Sequence, residues 1–208
     1  MRARHKAWAL PFLEEHPEIV ISSPKEHEAA FLSSPLYLEI GAGKGDFVLA
    51  MSEKGGQWIA LERETSISGL LAKKVLASEK KNILVYPADF DEAYESLKPY
   101  AFDGIYLNFS DPWPKKKHWK RRLTTEARLR EMASLLKENG SLYFKSDNQA
   151  LYEFTKEEAS KIIELHLVDD QPLYTFDEVH DAMSEYERNF RSQNLPIHRL
   201  VYQKTQKE

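Results

Sequence analysis

Short, nearly all-apolar runs alternate along this chain with stretches of helical periodicity, and that alternation leaves few folds open. Leu36–Ile40, Gln57–Leu61, Asn82–Tyr86, Gly104–Phe109, Ser141–Phe144, Leu167–Asp169 and His198–Gln203 read as strands. Candidate helices follow Gly45, cover Ser68–Lys80, run from Thr125 to a stop at Asn139-Gly140, and cover Gln149–Leu165. In the third of these, Leu129, Met132, Ala133 and Leu136 recur at i, i+3, i+4 and i+7. Apolar strands with helices between them predict an α/β fold, a mainly parallel sheet covered on both faces. In such sheets the ligand sits beyond the carboxyl ends of the strands. The 208 residues suit one such domain, read as spanning 1–208 with a basic arm over about residues 1–13.

Composition removes several classes of function. There is no cysteine, hence no disulfide scaffold, thiolate metal site or cysteine nucleophile. No metal site is expected. The longest apolar run, Phe47–Met51, is far too short to span a membrane. Met1–Lys6 is charged with no apolar stretch behind it, unlike a signal peptide, so the expected location is the cytoplasm. The net charge of −4 speaks against a nucleic-acid partner until its distribution is followed. Between Lys115 and Arg130 the local charge is +7, which leaves −11 for the rest. Trp113, His118 and Trp119 are interleaved with these cations, a combination suited to exposed bases and phosphates. From Asp169 to Glu187 there are seven acids and no Lys or Arg. That segment is expected to face a base rather than the phosphate backbone.

The residues just after each strand carry the chemistry. Glu39 precedes a loop with glycines at 41, 43 and 45, where a ligand can lie against backbone that lacks Cβ atoms. A dinucleotide fingerprint needs its third glycine at position 46, which is Asp46, and Glu39 would repel a pyrophosphate. A cationic ligand without phosphate, such as S-adenosylmethionine, suits this loop instead. Glu62, 17 residues past Gly45, is placed to accept two ribose hydroxyls, and Asp89 to accept from an adenine amino group. After the fourth strand, Pro112 and Pro114 stiffen the chain around Asp111 and lead directly into the basic run. The fifth strand ends at Asp147, which is either a helix N-cap or a second carboxylate beside Asp111.

The run Asn108-Phe109-Ser110-Asp111-Pro112-Trp113-Pro114-Lys115-Lys116-Lys117-His118-Trp119-Lys120-Arg121-Arg122-Leu123 closely resembles the signature of bacterial tRNA (guanine-N7-)-methyltransferases. The opening Met1–Arg4, the Glu39–Gly45 loop and Ser184–Phe190 extend the resemblance over almost the whole chain. It implies a Rossmann-like class I methyltransferase fold: a seven-stranded, mostly parallel sheet with an antiparallel last strand and helices on both faces. The implied activity is transfer of a methyl group from S-adenosylmethionine to N7 of a variable-loop guanosine in tRNA, with S-adenosylhomocysteine as product. By the same resemblance Glu39, Gly41, Gly43, Gly45, Glu62, Asp89 and Asp111 hold the cofactor, and Asp111 is also catalytic. Lys115, Asp147, Ser184, Glu185, Tyr186 and Glu187 are implied as guanosine and tRNA contacts. Ser184 stands where the family usually has Thr.

N7 of guanine carries a lone pair and no proton, so no general base is needed. Alignment and stabilisation of the developing positive charge should dominate, with Asp111 and Asp147 near the base and Glu187 in support. Arg2, Arg4, Lys116, Lys117, Arg121 and Arg122 are expected to hold phosphates. Three rivals stand beside this reading. A methyltransferase of exocyclic amines would place its second proline differently. A non-catalytic RNA-binding module would not need the acids at the strand ends. A nicotinamide oxidoreductase is disfavoured by the glycine spacing. The sequence leaves monomer or homodimer open.

Overall fold

The structure is a computed structural model that describes residues 6–205. In chain order it contains α1 (Ala9–Glu15), α2 (Glu28–Phe31), β1 (Leu36–Ile40), α3 (Asp46–Ser52), β2 (Gln57–Leu61), α4 (Thr65–Ala77), β3 (Ile83–Tyr86) and α5 (Phe90–Leu97). It continues with β4 (Phe102–Asn108), α6 (Glu126–Leu135), β5 (Leu136–Ser146), α7 (Gln149–Ala159), β6 (Leu165–Gln171), α8 (Glu185–Ser192) and β7 (His198–Lys204). The strands form one seven-stranded sheet in the order β3-β2-β1-β4-β5-β7-β6. The pairs β1–β2, β2–β3 and β4–β5 are parallel, whereas β7 runs antiparallel to both β5 and β6. This is the mostly parallel sheet with an antiparallel last strand that the resemblance implies.

The chain divides into two compact units, one up to Tyr100 together with Ala182–Ser184, the other Ala101–Asp181 together with Glu185 onward. In the first, β1, β2 and β3 bury almost every side chain, as parallel strands covered on both faces must. The free side of β3 is covered by the chain at Ile19–Ile21, where Ile21 N donates to Val85 O and Val85 N to Ile19 O. The expected basic arm becomes helical at Ala9, and α1 buries Ala9 and Leu13. It lies close against α4 because Gly69 has no side chain: a Cβ there would sit 2.8 Å from Ala9 Cβ and 3.1 Å from the Trp8 ring. Gly69→Val should therefore destabilise the fold by about 1–3 kcal/mol through overpacking. A thermal melt reads this as a lower midpoint, and an unchanged midpoint would show that α1 is not seated there.

In the second unit the expected helix end at Asn139-Gly140 is overturned. Helix α6 stops at Leu135 and β5 begins at once with Leu136, which pairs with Phe102. Leu135 and Leu136 are both buried, so the chain enters the sheet before reaching the turn signal. Asn139, at φ 63°, and Gly140 instead form an irregularity inside β5, where the register shifts between Phe102 and Gly104. A Cβ on Gly140 would lie 2.9 Å from the carbonyl oxygens of Lys137 and Phe102, so only glycine fits. The helix predicted to reach Leu165 ends at Ala159, because Leu165 is already the first residue of β6.

Candidate active site

In the first unit the Glu39–Gly45 loop folds back on β2. The N–H groups of Gly41 and Ala42 both donate to Leu61 O, at 2.8 and 3.0 Å. Gly43 N donates to Glu62 Oε2 at 3.0 Å, and Glu64 N donates to Oε1 of the same carboxylate at 2.9 Å. Two residues expected to hold one cofactor are thus tied to each other directly. Gly41, Gly43 and Gly45 all have positive φ, which favours glycine. Their surroundings differ. A Cβ on Gly41 or Gly43 would meet nothing within 4 Å, whereas one on Gly45 would collide with Leu71 Cδ1. Gly45 is needed for packing against α4, and Gly41 and Gly43 keep bare backbone facing open space. Glu39 is buried within β1, and a carboxylate taken out of water must meet donors or a cation.

Asp89 caps α5, accepting from Asp91 N at 3.1 Å, and its other oxygen lies 3.5 Å from Arg63 Nη1. A carboxylate has lone pairs to spare beyond one capping bond, so the cap is compatible with an adenine contact. Burial pushes the Glu62 carboxyl above its ordinary pKa, against the opposing pull of the Glu64 and Gly43 N–H groups. Its contribution to the stability of the cofactor-free protein is therefore present at low pH and lost as pH rises through the raised value. The ionised form is the one that accepts ribose hydroxyls, so cofactor affinity should weaken as pH falls through the same value. Calorimetric titration with S-adenosylhomocysteine, taken from neutral pH down through the raised value, should show this weakening in the wild type and not in Glu62→Gln. A flat wild-type profile would contradict the assignment.

In the second unit the parallel register pairs Asn108 with Lys145, and Phe109 N still donates to Lys145 O at 2.8 Å. Asp111 and Asp147 thus follow the carboxyl ends of adjacent strands. Asn148 caps α7, accepting from Leu151 N at 2.9 Å, which leaves Asp147 out of the cap. Tyr186 of α8 completes the group. Burial together with the charges of Asp147 and Asp111 raises its phenol pKa, which places all three in one electrostatic neighbourhood. Its half-exposed ring lies 5.2 Å from Phe109 and stacks on Phe190 at 4.6 Å. Glu185, exposed, is the first residue of this helix, and Ser184, half-buried, precedes it in the chain.

The cations of the polybasic run do not all behave alike. Lys115, Lys117, Lys120 and Arg121 are exposed, and Arg121 stands over the Trp113 ring at 5.0 Å. Arg122 is half-buried and turned inward: Nε donates to Pro112 O at 2.9 Å and Nη2 to Trp113 O at 3.5 Å. Arg2 and Arg4 lie outside the described residues, and the Lys116 side chain is likewise not described.

The acidic segment differs most from expectation. Its carboxylates are largely paired with partners elsewhere in the chain rather than presented to a base. Asp169 bonds Arg199, Asp170 bonds Lys156 and Tyr152, and Asp181 bonds Lys145 and Tyr174. Glu187 is fully buried, with Lys145 Nζ at 2.7 Å from Oε2 and Arg191 Nε at 2.9 Å from Oε1. A lysine inside the apolar run Leu142–Phe144–Ser146 was the signal for this cluster, since a charge in a buried strand requires countercharges.

A family model described as "Putative methyltransferase" matches residues 33–200. Among solved structures, the 16S rRNA methyltransferase KamB superposes with a TM-score of 0.65 at 15% identity, covering 89% of this chain and 95% of that one. A methyltransferase from Pyrococcus furiosus superposes at 0.57 and 16% identity, over 88% and 83%. The sheet is that of class I methyltransferases, and with the family match it makes the chain an S-adenosylmethionine-dependent methyltransferase of that fold. Among curated proteins, the tRNA (guanine-N(7)-)-methyltransferase of Bacillus subtilis is 34% identical over 96% of this chain and 97% of its own length. The enzyme of the same name from Limosilactobacillus reuteri is 32% identical over 97% and 98%. The chain belongs to the tRNA (guanine-N(7)-)-methyltransferase family. Bare backbone at Gly41 and Gly43 beside the Glu62 carboxylate fits the methyl donor of that family.

Proposed function

We propose that this protein transfers a methyl group from S-adenosylmethionine to N7 of a variable-loop guanosine in tRNA. The grouping of Asp111, Asp147 and Tyr186 at the ends of β4 and β5, followed in the chain by exposed Lys115, Lys117, Lys120 and Arg121, carries the reading. Glu39, Glu62, Asp89 and the glycine loop hold the donor. Glu62 takes the ribose, Asp89 the adenine amino group, and Gly41 and Gly43 let the ligand lie against the backbone. When bound, the donor supplies a methyl group on a sulfonium; the S–C bond breaks as the N7–C bond forms, and no proton moves.

The chain's own residues orient the base and meet its charge. Asp111 and Asp147 accept from the N1–H and 2-amino edge of guanine, donors that strengthen as the ring becomes cationic. The Tyr186 ring gives the base a face to stack on. Lys115, Lys117 and Arg121 hold phosphates and set register. Holding N7 in line with the methyl group supplies a positioning effect of about 7–11 kcal/mol in well-oriented reactions. Helices long and apolar enough to cross a membrane are absent among the described residues. The proposal is checked by offering labelled donor with tRNA, duplex DNA or a protein mixture in turn. Label is expected in tRNA alone; incorporation into duplex DNA or protein would overturn it.

A further inference from the structure

Arg122 stands within a run of phosphate-binding cations, yet its guanidinium faces the protein. Its Nε and Nη2 form one edge of the fork that grips a phosphate or carboxylate through two parallel hydrogen bonds. Here that edge is spent on the carbonyl oxygens of Pro112, at 2.9 Å, and Trp113, at 3.5 Å. The plane of the guanidinium rests on the Phe154 ring of α7, 4.4 Å from its centroid. Its own carbonyl accepts from Arg128 Nη1 of α6 at 3.1 Å, and the same nitrogen donates to Lys120 O at 2.8 Å. Arg122 is thus fastened to two helices on one side and to the loop behind Asp111 on the other.

Between Phe109 and Trp113 the chain lies outside any strand or helix. Phe109 and Trp113 adopt φ of 53° and 41°, a left-handed conformation that is unfavourable for a bulky residue. Such a conformation persists only where the surroundings determine it. Pro112 has no N–H to donate, so the carbonyls of Pro112 and Trp113 are what an outside donor can grip. Arg122 supplies that grip on the two residues immediately following Asp111. We infer that Arg122 is a positioning residue, which fixes the Asp111 turn for methyl transfer, and that it is not a phosphate contact like its neighbour Arg121. The inference rests on the catalytic role proposed for Asp111.

The test compares Arg122→Ala, Arg122→Lys, Arg121→Ala, Asp111→Asn and the Asp111→Asn/Arg122→Ala pair in the full chain with transcribed tRNA, each first shown to be folded by its thermal melt. Arg122→Ala is expected to lower kcat by about 10²-fold, the scale of a 1 Å misplacement. Its salt dependence of tRNA binding should match the wild type. Arg122→Lys, which keeps one donor nitrogen but not the planar fork, should recover part of kcat. Arg121→Ala should instead reduce the slope of log K against log salt by about one. Because Arg122 acts through Asp111, the double variant should be no slower than Asp111→Asn alone. Full kcat in Arg122→Ala beside a slow Asp111→Asn overturns this inference and leaves the role of Asp111 standing, as does a reduced salt slope in Arg122→Ala or a double variant slowed by the product of both effects. Full kcat in Asp111→Asn removes the role of Asp111, and this inference with it.

Discussion

Asp111→Asn is expected to lower kcat by about 10²–10³-fold, the range seen when one preorganised electrostatic contact is removed, with tRNA affinity nearly normal. Asparagine keeps the shape and one acceptor but loses the charge. In the ground state guanine is neutral, and the loss is small. In the transition state positive charge has moved onto the ring, and a carboxylate is worth far more than an amide. Asp111 is exposed, and the charges of Asp111 and Asp147 both act on Tyr186, so a base can reach these carboxylates from solvent. Single-turnover transfer from labelled donor gives the chemical step, and filter binding gives tRNA affinity. Equal losses in both would make Asp111 a binding residue and remove its catalytic role.

Lys145→Met should cost about 3–5 kcal/mol of stability, the scale for removing one partner of a buried ion pair. Its side chain is 4% exposed and lies between Asp181, at 2.8 and 3.1 Å, and Glu187, at 2.7 Å. Arg191 shares Glu187, so two cations balance two anions. Methionine fills the volume and leaves one buried negative charge uncompensated. Adding Asp181→Asn restores the balance and keeps an acceptor for the Tyr174 hydroxyl, which now bonds Asp181 at 2.8 Å. The double variant should therefore be more stable than Lys145→Met alone, although it carries one more substitution. Denaturant midpoints decide this, and a double variant less stable than the single would show that countercharge is not what Lys145 provides. The cluster joins the end of β5 to α8 and so carries Tyr186. This gives Glu187 a structural place among the residues the family resemblance assigns to substrate.

Strands β1 and β2 lie where their apolar runs end in Gly or Glu, since a parallel strand buried on both faces writes itself as an unbroken run. Glu62 was legible for the same reason, as the residue next after β2, and Asp89 and Asp111 follow β3 and β4 by three residues. Helix α5 is absent from the helices the periodicity predicts, although Asp89, open to a capping as well as a ligand role, has Asp91 and Glu92 behind it, an N-terminal signature. Helix α8 was hidden by acids that suggest repulsion until their partners, Lys145 and Arg191, are known. The inward turn of Arg122 was equally hidden. Along the sequence it is one cation in a row, and only tertiary packing against Phe154 and the Pro112 carbonyl separates it from Arg121. Long-range pairing of charges leaves no period in a sequence, whereas apolar burial does.

Mapping the methylated atom bears most directly on a cationic methyl donor held by strand-end carboxylates and a guanine presented beside a basic loop. Total tRNA lacking 7-methylguanosine, incubated with the protein and labelled donor, should carry the label on N7 of a variable-loop guanosine, where reduction and aniline treatment cleave the chain. Label on an exocyclic nitrogen, on a ribose, or on a guanosine outside that loop would contradict it.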